Sequence, residues 1–192
     1  MNKKIILAST SLQRKNLLAK TGLVFETTAS NYEEDMTLPL EPKELAMHLS
    51  KGKAQAVAEA YRGALIIAAD TFIVHEDKIL GKPHTPQRAK EMLKTLSGDT
   101  HSIITGFTVL DTESDKSISR AVEAKVYFKK LSEEEMDNYI ATGEPLDKAG
   151  AYAIQGLGSE FVEKIEGDYS NVVGLPVKEV IKILRDFGVV LQ

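Results

Sequence analysis

The chain contains no cysteine. This absence excludes disulfide bridges, thiol nucleophiles and zinc sites built on thiolates. Four histidines are present, but they show neither an HExxH pattern nor another spacing typical of metal ligands. We therefore interpret each of them as structural or exposed rather than catalytic, with His101 the least clear case. The histidines are His48, His75, His84 and His101.

Long apolar runs are also missing. The run at residues 5–8 follows a short positive start but is far too short for a secretory leader or a membrane span. The formal net charge of −4 and the pI near 5.7 provide no global attraction to nucleic acid or to an anionic membrane. We therefore expect a cytoplasmic protein that binds neither, in which any phosphate binding is local.

The length and composition fit one enzyme-sized unit. With 192 residues, of which 43% are hydrophobic, the chain can bury a substantial core. There is no internal repeat, low-complexity tract or long linker. We predict a single domain over residues 1–192, in one body or two lobes.

Hydrophobic periodicity predicts alternating strands and helices, which supports an α/β fold. Ser132 and Glu135 form a capping-box pattern that predicts a helix start. Residues 143–176 hold six glycines and predict a functional loop region with short strands, one of them over residues 160–165. Strands are predicted at 4–8, 24–29, 64–70, 72–80 with an internal acidic turn, 101–110 and 117–129, and helices at 12–20, 43–61, 86–96, 132–143 and 176–187.

A buried strand with a carboxylate at its end is the most informative local feature. The small and apolar run at residues 64–69 leads directly into Asp70 and Thr71. Ligands of open α/β sheets bind outside the carboxyl ends of such strands, so Asp70 is expected at a ligand-binding edge. A helix N-cap is the alternative role, but the sequence that follows resembles a hairpin. Lys82 follows in a Gly-Lys-Pro turn, either as a phosphate contact or as an ordinary surface lysine.

The turn after the first predicted strand could bind an anion. Ser9 and Ser11 precede a predicted helix, where backbone N–H groups and the helix dipole attract negative charge, and Arg14 lies one turn further on. An ordinary serine N-cap is the favoured reading when this segment is taken alone. The segment matches neither a Walker loop nor a dinucleotide fingerprint.

Three acidic residues and a lysine are further candidates for a ligand-binding site. The acidic group Glu33-Glu34-Asp35 could, together with Asp70, supply oxygen ligands to Mg²⁺, or it could be a solvated loop. Lys53 falls within the apolar stripe of its predicted helix, where an unpaired ammonium is costly. We expect Lys53 either to reach an anionic partner at the edge of the site or to extend from the margin of the stripe into solvent.

The glycine-rich region supplies a residue suited to reading a base. Gln155 carries both a donor and an acceptor, as recognition of a base edge requires. Tyr152 could stack on a ring, although a core role is commoner for such a tyrosine. Carboxylates for a metal, cations for phosphates and an amide for a base together describe a nucleotide site.

Over nearly its whole length the chain resembles the Maf family of nucleoside triphosphate pyrophosphatases, also called septum formation inhibitor proteins. The resemblance rests on ordered blocks at characteristic separations. These blocks are residues 7–14 (LASTSLQR), 69–71 (ADT), 80–83 (LGKP), 96–98 (LSG) with His101 and Thr105, 144–156 (EPLDKAGAYAIQG), 167–168 (GD) and 173–176 (VGLP).

This resemblance implies a fold and a reaction. The fold would be a long twisted mixed sheet flanked by helices, similar to inosine triphosphatases, with two lobes and a central cleft. The reaction would be hydrolysis of dTTP and UTP, with other or modified pyrimidine nucleotides as candidates, to the monophosphate and pyrophosphate. A divalent cation would be needed, Mg²⁺ ahead of Mn²⁺. The expected role is housecleaning of nucleotide pools, with a link to cell-division arrest and septum formation, and a homodimer is the expected assembly.

The resemblance also assigns roles to residues. Asp70 matches the family's proton acceptor and, with Glu33, its metal site. Thr71 and Gln155 resemble the specificity positions of the dTTP/UTP branch. The positions associated with phosphate binding are Ser9, Ser11, Arg14, Lys53 and Lys82.

One position departs from the family pattern. Gln13 stands where the family usually has the first of two arginines, also a specificity position. Glutamine lacks the charge and the fork of arginine, so selectivity or affinity is expected to differ.

We also consider two rival functions: a non-catalytic nucleotide-binding regulator of septum formation, and a phosphomonoesterase with Asp70 as nucleophile. The second rival would require another acid two residues on, where this chain has Phe72.

Overall fold

The structure is a computed structural model that describes residues 3–190. The predicted domain covers residues 1–192, and its first two and last two residues lie outside the described residues. The first two, Met1 and Asn2, belong to the short start that precedes the apolar run at residues 5–8. The helices are α1 (Leu12–Ala19), α2 (Pro42–Ala58), α3 (Pro86–Leu96), α4 (Glu133–Ala141), α5 (Tyr169–Val173) and α6 (Val177–Asp186). The strands are β1 (Lys4–Ala8), β2 (Glu26–Thr28), β3 (Ala64–His75), β4 (Lys78–Leu80), β5 (Thr100–Asp111), β6 (Ser117–Phe128) and β7 (Val162–Glu166).

Seven strands form one mixed sheet in the order β2-β1-β3-β5-β6-β7, with β4 paired to β3. β1 runs parallel to both β2 and β3, whereas β4 is antiparallel to β3 and β7 is antiparallel to β6. Helices precede or follow most of the strands in the chain. The predicted α/β class and mixed sheet are thereby confirmed. No helix within residues 3–190 combines the length and the apolar character needed to cross a lipid bilayer.

The chain divides into two compact units. The first holds residues 3–71, 105–122 and 170–190 of the described chain, and the second holds 72–104 and 123–169. The prediction of a single domain with two lobes stays a prediction. Strands β3, β5 and β6 each contribute residues to both units.

The first unit has a core on each face of its sheet, because side chains alternate along a strand. Odd-numbered residues such as Leu65 and Ile67 of β3 pack with Leu18 of α1 and with buried residues of α6. Even-numbered residues of β3 pack instead with Ala54 and Val57 of α2. This alternation decides which helix each polar residue further along β3 can meet.

In the second unit, two local predictions are confirmed. The Ser132–Glu135 capping box opens α4, with the Ser132 side chain accepting from the backbone N–H of Glu135 and the Glu135 carboxylate accepting in return. The acidic turn predicted within residues 72–80 joins β3 to β4, and its residues Glu76 and Asp77 both have positive φ.

The glycine-rich region contains three short 3₁₀ helices, Glu144–Asp147, Ala149–Ala151 and Leu157–Phe161, followed by β7. The predicted strand over 160–165 is thus displaced to Val162–Glu166. The five-residue helix α5 is absent from the prediction, because one turn of helix carries too little periodic signal.

One prediction about β3 is wrong. The strand does not end at Asp70 but continues to His75. Residues Phe72–Val74 are apolar and buried, and pairing of Ile73 with Leu80 of β4 extends the ladder. Asp70 therefore lies within a strand rather than at its carboxyl end.

Candidate active site

The position of Asp70 follows from strand alternation. Ala64, Ile66 and Ala68 of β3 face α2, and Asp70 is the next residue on that face. Asp70 is only 7% exposed. A charge buried to this extent needs a partner, and the helix opposite supplies one.

That partner is Lys53, which lies on α2 next to Ala54 of the core. Its Nζ contacts Asp70 Oδ1 and lies 2.8 Å from Glu34 Oε1. The side chains of Lys53 and Asp70 are both nearly buried, whereas that of Glu34 is exposed. Of the two roles considered for Lys53, pairing with an acidic partner is the one observed.

Burial and neighbouring charges act in opposite directions on Asp70. Loss of solvent raises the pKa of the Asp70 carboxyl above its ordinary value, and the negative charge of Glu34 raises the pKa further. The hydrogen bond and charge of Lys53 and the charge of Arg14 oppose this increase, but burial is the larger effect. The result is a carboxylate more basic than an exposed aspartate.

The acidic loop is attached to α2 by one hydroxyl group and one ring. Ser30 Oγ donates to the carbonyl oxygen of Lys53 at 3.3 Å, and Tyr32 N–H donates to Ser30 Oγ. The Tyr32 ring lies on Gly52, so close that a Cβ there would be 2.3 Å from its Cζ. These contacts fix the loop beside the end of the Lys53 side chain.

Glu34, not Glu33, is the loop carboxylate that this attachment brings to Lys53. Glu33 is exposed, and Asp35 Oδ1 accepts instead from the backbone and hydroxyl of Thr37. Sequence could not separate two adjacent glutamates, because the choice depends on how the loop lies on Gly52. The structure favours Glu34 over the predicted Glu33 as the carboxylate beside Asp70.

Thr71 points to the opposite face of β3, where α1 packs, and there it meets Arg14. The guanidinium donates from Nε to Gly174 O at 2.8 Å, from Nη1 to Ala69 O at 2.8 Å and from Nη2 to Thr71 Oγ1 at 3.0 Å. Desolvation lowers the pKa of Arg14, although arginine remains charged. Three of the five N–H groups of Arg14 thus donate to acceptors within the protein. The phosphate contact assigned to Arg14 stays a prediction.

The turn before α1 forms a local capping network. Ser11 is the N-cap, and its Oγ accepts from the Arg14 backbone N–H at 3.4 Å. Ser9 Oγ accepts from the Ser11 N–H, and Ser11 Oγ donates to Gln13 Oε1 at 3.1 Å. The capping alternative for the serines is therefore observed, and their phosphate contacts and the specificity role of Gln13 stay predictions.

The two remaining predicted residues lie in the second unit. Lys82 is exposed in the turn between β4 and α3, and Gln155 is exposed just before the 3₁₀ helix Leu157–Phe161. Near Gln155, the carboxylate of Glu144 accepts from the backbone N–H groups of Leu157 and Gly158. The roles of Lys82 and Gln155 in a nucleotide site stay predictions.

The donor set in the first unit fits a hard divalent cation. Asp70 and Glu34 already share one cationic group, and Mg²⁺ is commonly bound by one or two carboxylates with water and substrate phosphate completing its shell. Among residues 3–190 no group of three or more acidic, histidine or cysteine ligands occurs. Asp70 and Glu34 are the residues of the first unit that could hold such a cation.

Comparison with known sequences agrees with this geometry. The model of the family described as Maf-like protein matches residues 4–187. The chain belongs to the Maf family. It is 50% identical over 188 residues to a protein of Thermoanaerobacter sp. (strain X514) named dTTP/UTP pyrophosphatase, covering 97% of this chain and 98% of that one.

Other Maf-family relatives carry the same name. A protein of Methanosarcina barkeri is 48% identical, covering 97% of this chain and 95% of the relative. One of Bacillus cereus (strain ATCC 10987 / NRS 248) is 46% identical, covering 97% and 91%. The resemblance inferred from the sequence blocks is thereby confirmed.

Solved structures support the fold. The Ham1 protein of Coxiella burnetii superposes with a TM-score of 0.55 at 14% identity, covering 96% of this chain and all of that one. The Staphylococcus aureus Ham1 protein gives 0.51 at 14% identity, with 96% and 97% covered. At this identity the likeness concerns the fold alone.

Proposed function

We propose that this Maf-family protein hydrolyses dTTP and UTP between the α- and β-phosphates, giving the nucleoside monophosphate and pyrophosphate. Family membership and the shared name of full-length relatives support this proposal. The observation that carries it in this chain is the buried Asp70, held with Glu34 on one ammonium. A basic carboxylate can accept a proton from water, a second carboxylate can help to hold a cation, and a lysine can stabilise charge on phosphate oxygens.

Asp70 is the proposed general base. Lys53 donates to Oδ1, so Oδ2 is the oxygen suited to take the proton. The oxygen of a water molecule would attack the α-phosphorus while its proton passes to Asp70, and the bond from that phosphorus to the bridging oxygen would break. Pyrophosphate would leave with the electron pair of that bond.

Asp70 and Glu34 are the residues that would hold a divalent cation, Mg²⁺ or Mn²⁺. When bound, such a cation supplies positive charge that neutralises phosphate oxygens. Glu34 here replaces the Glu33 of the sequence-based prediction, because only Glu34 reaches the Lys53 ammonium.

The cationic residues have separate proposed roles. Lys53 would move from the two carboxylates to the phosphates when substrate binds, since its ammonium has a flexible stem and three donors. Ser9, Ser11 and Lys82 would contact phosphate oxygens. Arg14 would contribute through its charge and its two remaining N–H groups, since the other three hold Gly174, Ala69 and Thr71.

Further features stay proposals based on family membership. These are a single domain of two lobes, a homodimer, a cytoplasmic location, housecleaning of nucleotide pools and a link to septum formation. Gln155 and Gln13 are proposed to contribute to base or phosphate selection.

The test is product analysis across a nucleotide panel. Purified protein with Mg²⁺ is incubated with dTTP, UTP, CTP, GTP and ITP, and the monophosphate, pyrophosphate and free phosphate are quantified. We expect monophosphate and pyrophosphate in equal amounts, fastest from dTTP and UTP. Asp70→Asn should lower kcat/KM by roughly 10²- to 10⁴-fold, the contribution of a general base. Asp35→Asn, which changes an exposed carboxylate of the acidic loop, is the matched control and should stay near the wild-type rate.

Each rival predicts a different result. Free phosphate without pyrophosphate would indicate a phosphomonoesterase. Tight nucleotide binding without any turnover would indicate a regulator. Near wild-type turnover by Asp70→Asn would show that Asp70 is not the base.

A further inference from the structure

A directed chain of hydrogen bonds runs through Thr71. Arg14 Nη2 donates to Thr71 Oγ1, and this hydroxyl lies 3.0 Å from Thr105 Oγ1 on the neighbouring strand β5. Thr105 Oγ1 lies 3.0 Å from the carbonyl oxygen of Asn171. All four residues belong to the first unit.

The direction of each bond can be assigned by counting protons. A carbonyl oxygen can only accept, so the single hydroxyl proton of Thr105 is donated to Asn171 O. In its contact with Thr71, Thr105 must then accept, and the single proton of Thr71 is donated to it. Arg14 has no acceptor, so its contact with Thr71 can only be a donation.

This assignment limits what Thr71 can still do. Its proton is used and one lone pair is occupied by Arg14, so one lone pair remains on a half-buried hydroxyl. A further partner of Thr71 must therefore be a hydrogen-bond donor. The oxygens of an ionised triphosphate are acceptors, so the donor comes from the nucleoside or from water.

The bases of pyrimidine nucleotides differ in whether N3 is a hydrogen-bond donor or acceptor. Uracil and thymine carry an N–H donor at N3, whereas cytosine has an acceptor lone pair at N3. A hydroxyl fixed as an acceptor accommodates the first and leaves the second facing a lone pair. The discrimination follows from hydrogen-bond direction and does not depend on the size of the base.

We infer that Thr105 is a positioning residue for nucleotide selection. By accepting a hydrogen bond from the Thr71 hydroxyl, Thr105 leaves Thr71 able only to accept from a ligand, which favours uracil and thymine over cytosine. This inference rests on the proposed pyrimidine triphosphate substrate. Thr105 is fully buried, so it acts through Thr71 and has no contact of its own with a ligand.

Thr105→Val tests the inference with almost no change of shape. The backbone N–H of Gly174 also donates to Asn171 O at 3.0 Å, so the carbonyl keeps a partner when the Thr105 hydroxyl is removed. Thr71 then regains a free proton and can donate to an acceptor such as cytosine N3. We expect the UTP-to-CTP ratio of kcat/KM to fall roughly fivefold, about 1 kcal/mol at 1.4 kcal/mol per factor of ten.

Thr108→Val is the matched control. Thr108 is equally buried on β5, but it points to the other face, where its hydroxyl bonds Ser50 and Ser119. It should leave the UTP-to-CTP ratio within twofold of wild type even if it lowers stability. Unfolding midpoints of both variants separate a loss of folded protein from a change in selectivity.

Binding of α,β-imido UTP and CTP, measured by calorimetry, gives the same ratio without turnover. An unchanged ratio in Thr105→Val, by kinetics and by binding, overturns the inference and leaves the proposed reaction standing. Equal losses for UTP and CTP overturn it too, since they indicate a contact with the sugar or a structural effect. If wild type turns over neither nucleotide but the UTP-to-CTP binding ratio still falls in Thr105→Val, the proposed reaction alone is overturned. Failure of wild type to bind either analogue overturns both.

Discussion

Glu34 and Asp70 share one ammonium, that of Lys53, although they come from a loop and from the middle of a strand. Two carboxylates would otherwise repel each other, and burial would favour the protonated form of Asp70. The two carboxylates that hold this lysine are also the residues that would hold a divalent cation. Binding of a metal and retention of this ion pair are expected to compete.

The first prediction concerns which glutamate binds the cation. Glu34→Gln should weaken Mn²⁺ binding, followed by electron paramagnetic resonance, by roughly 10-fold or more, because a carboxylate next to Asp70 is lost. Glu33→Gln is the matched control, since its exposed carboxylate lies one residue away, and it should stay within twofold of wild type. A larger loss in Glu33→Gln than in Glu34→Gln would restore the prediction made from sequence.

The second prediction concerns the Arg14 guanidinium. Arg14→Lys keeps the charge but cannot reproduce the fork that holds Gly174 O, Ala69 O and Thr71 Oγ1. The free energy of unfolding in urea should fall by about 1–3 kcal/mol, because buried carbonyl groups lose charged donors. Arg88→Lys, at an exposed pair with Glu91, should change it by less than about 0.5 kcal/mol. Equal effects in both variants would contradict a structural role for Arg14.

The third prediction concerns Gln13. Gln13 is exposed at the start of α1, so Gln13→Arg can add a forked cation without disturbing the core. If the residue faces phosphate, the KM for dTTP should fall by roughly tenfold, as expected for one charge-assisted hydrogen bond, with little change in kcat. Gln87→Arg makes the same exposed substitution on α3 and tests for a mere effect of net charge. A similar KM in all three proteins would remove Gln13 from the site.

The fourth prediction concerns His101 and acid stability. Burial lowers the pKa of His101 to about 4, and the charge of His75 lowers it further while Asp99 opposes this. The folded protein therefore keeps His101 neutral at pH values where the unfolded chain, with a pKa near 6.5, takes up a proton. Stability should fall as pH decreases from 7 towards 4, by about 2 kcal/mol between pH 7 and pH 5.

His101→Gln should reduce this loss, because glutamine does not titrate. Urea unfolding at pH 7 and pH 5 measures it, and His84→Gln serves as a control at an exposed histidine. If wild type and His101→Gln lose the same free energy between the two pH values, the protonation of His101 is not the cause.

Most secondary structure was predictable because it depends on local pattern. The helices predicted at 86–96 and 132–143 appear as α3 and α4, and the capping box forms as expected. The end of β3 was not predictable in this way, since a carboxylate at residue 70 resembles a strand end. Only pairing of the following apolar residues with β4 shows that the strand continues.

The candidate site was predictable in its residue types and only partly in its contacts. Lys53 could be expected to have an anionic partner, because an unpaired ammonium within an apolar stripe is costly. The choice of Glu34 over Glu33 depends on the contact of Tyr32 with Gly52, which joins residues distant in sequence. The role of Thr105 had no signal beyond its place in a family block, because its partners lie on β3 and in α5, which are distant in sequence.

The sequence alone determined the α/β class, the absence of thiol chemistry, the buried strand that leads into the acid and the set of cations, since these depend on composition and on local periodicity. Tertiary structure decided which groups meet. Alternation along β3 sends Asp70 to Lys53 on one face and Thr71 to Arg14 on the other. In the series of hydrogen bonds from Arg14 through Thr71 and Thr105 to Asn171, the number of available protons then fixes the direction of each bond. That direction requires three-dimensional contacts, because a threonine in a sequence can be a donor or an acceptor.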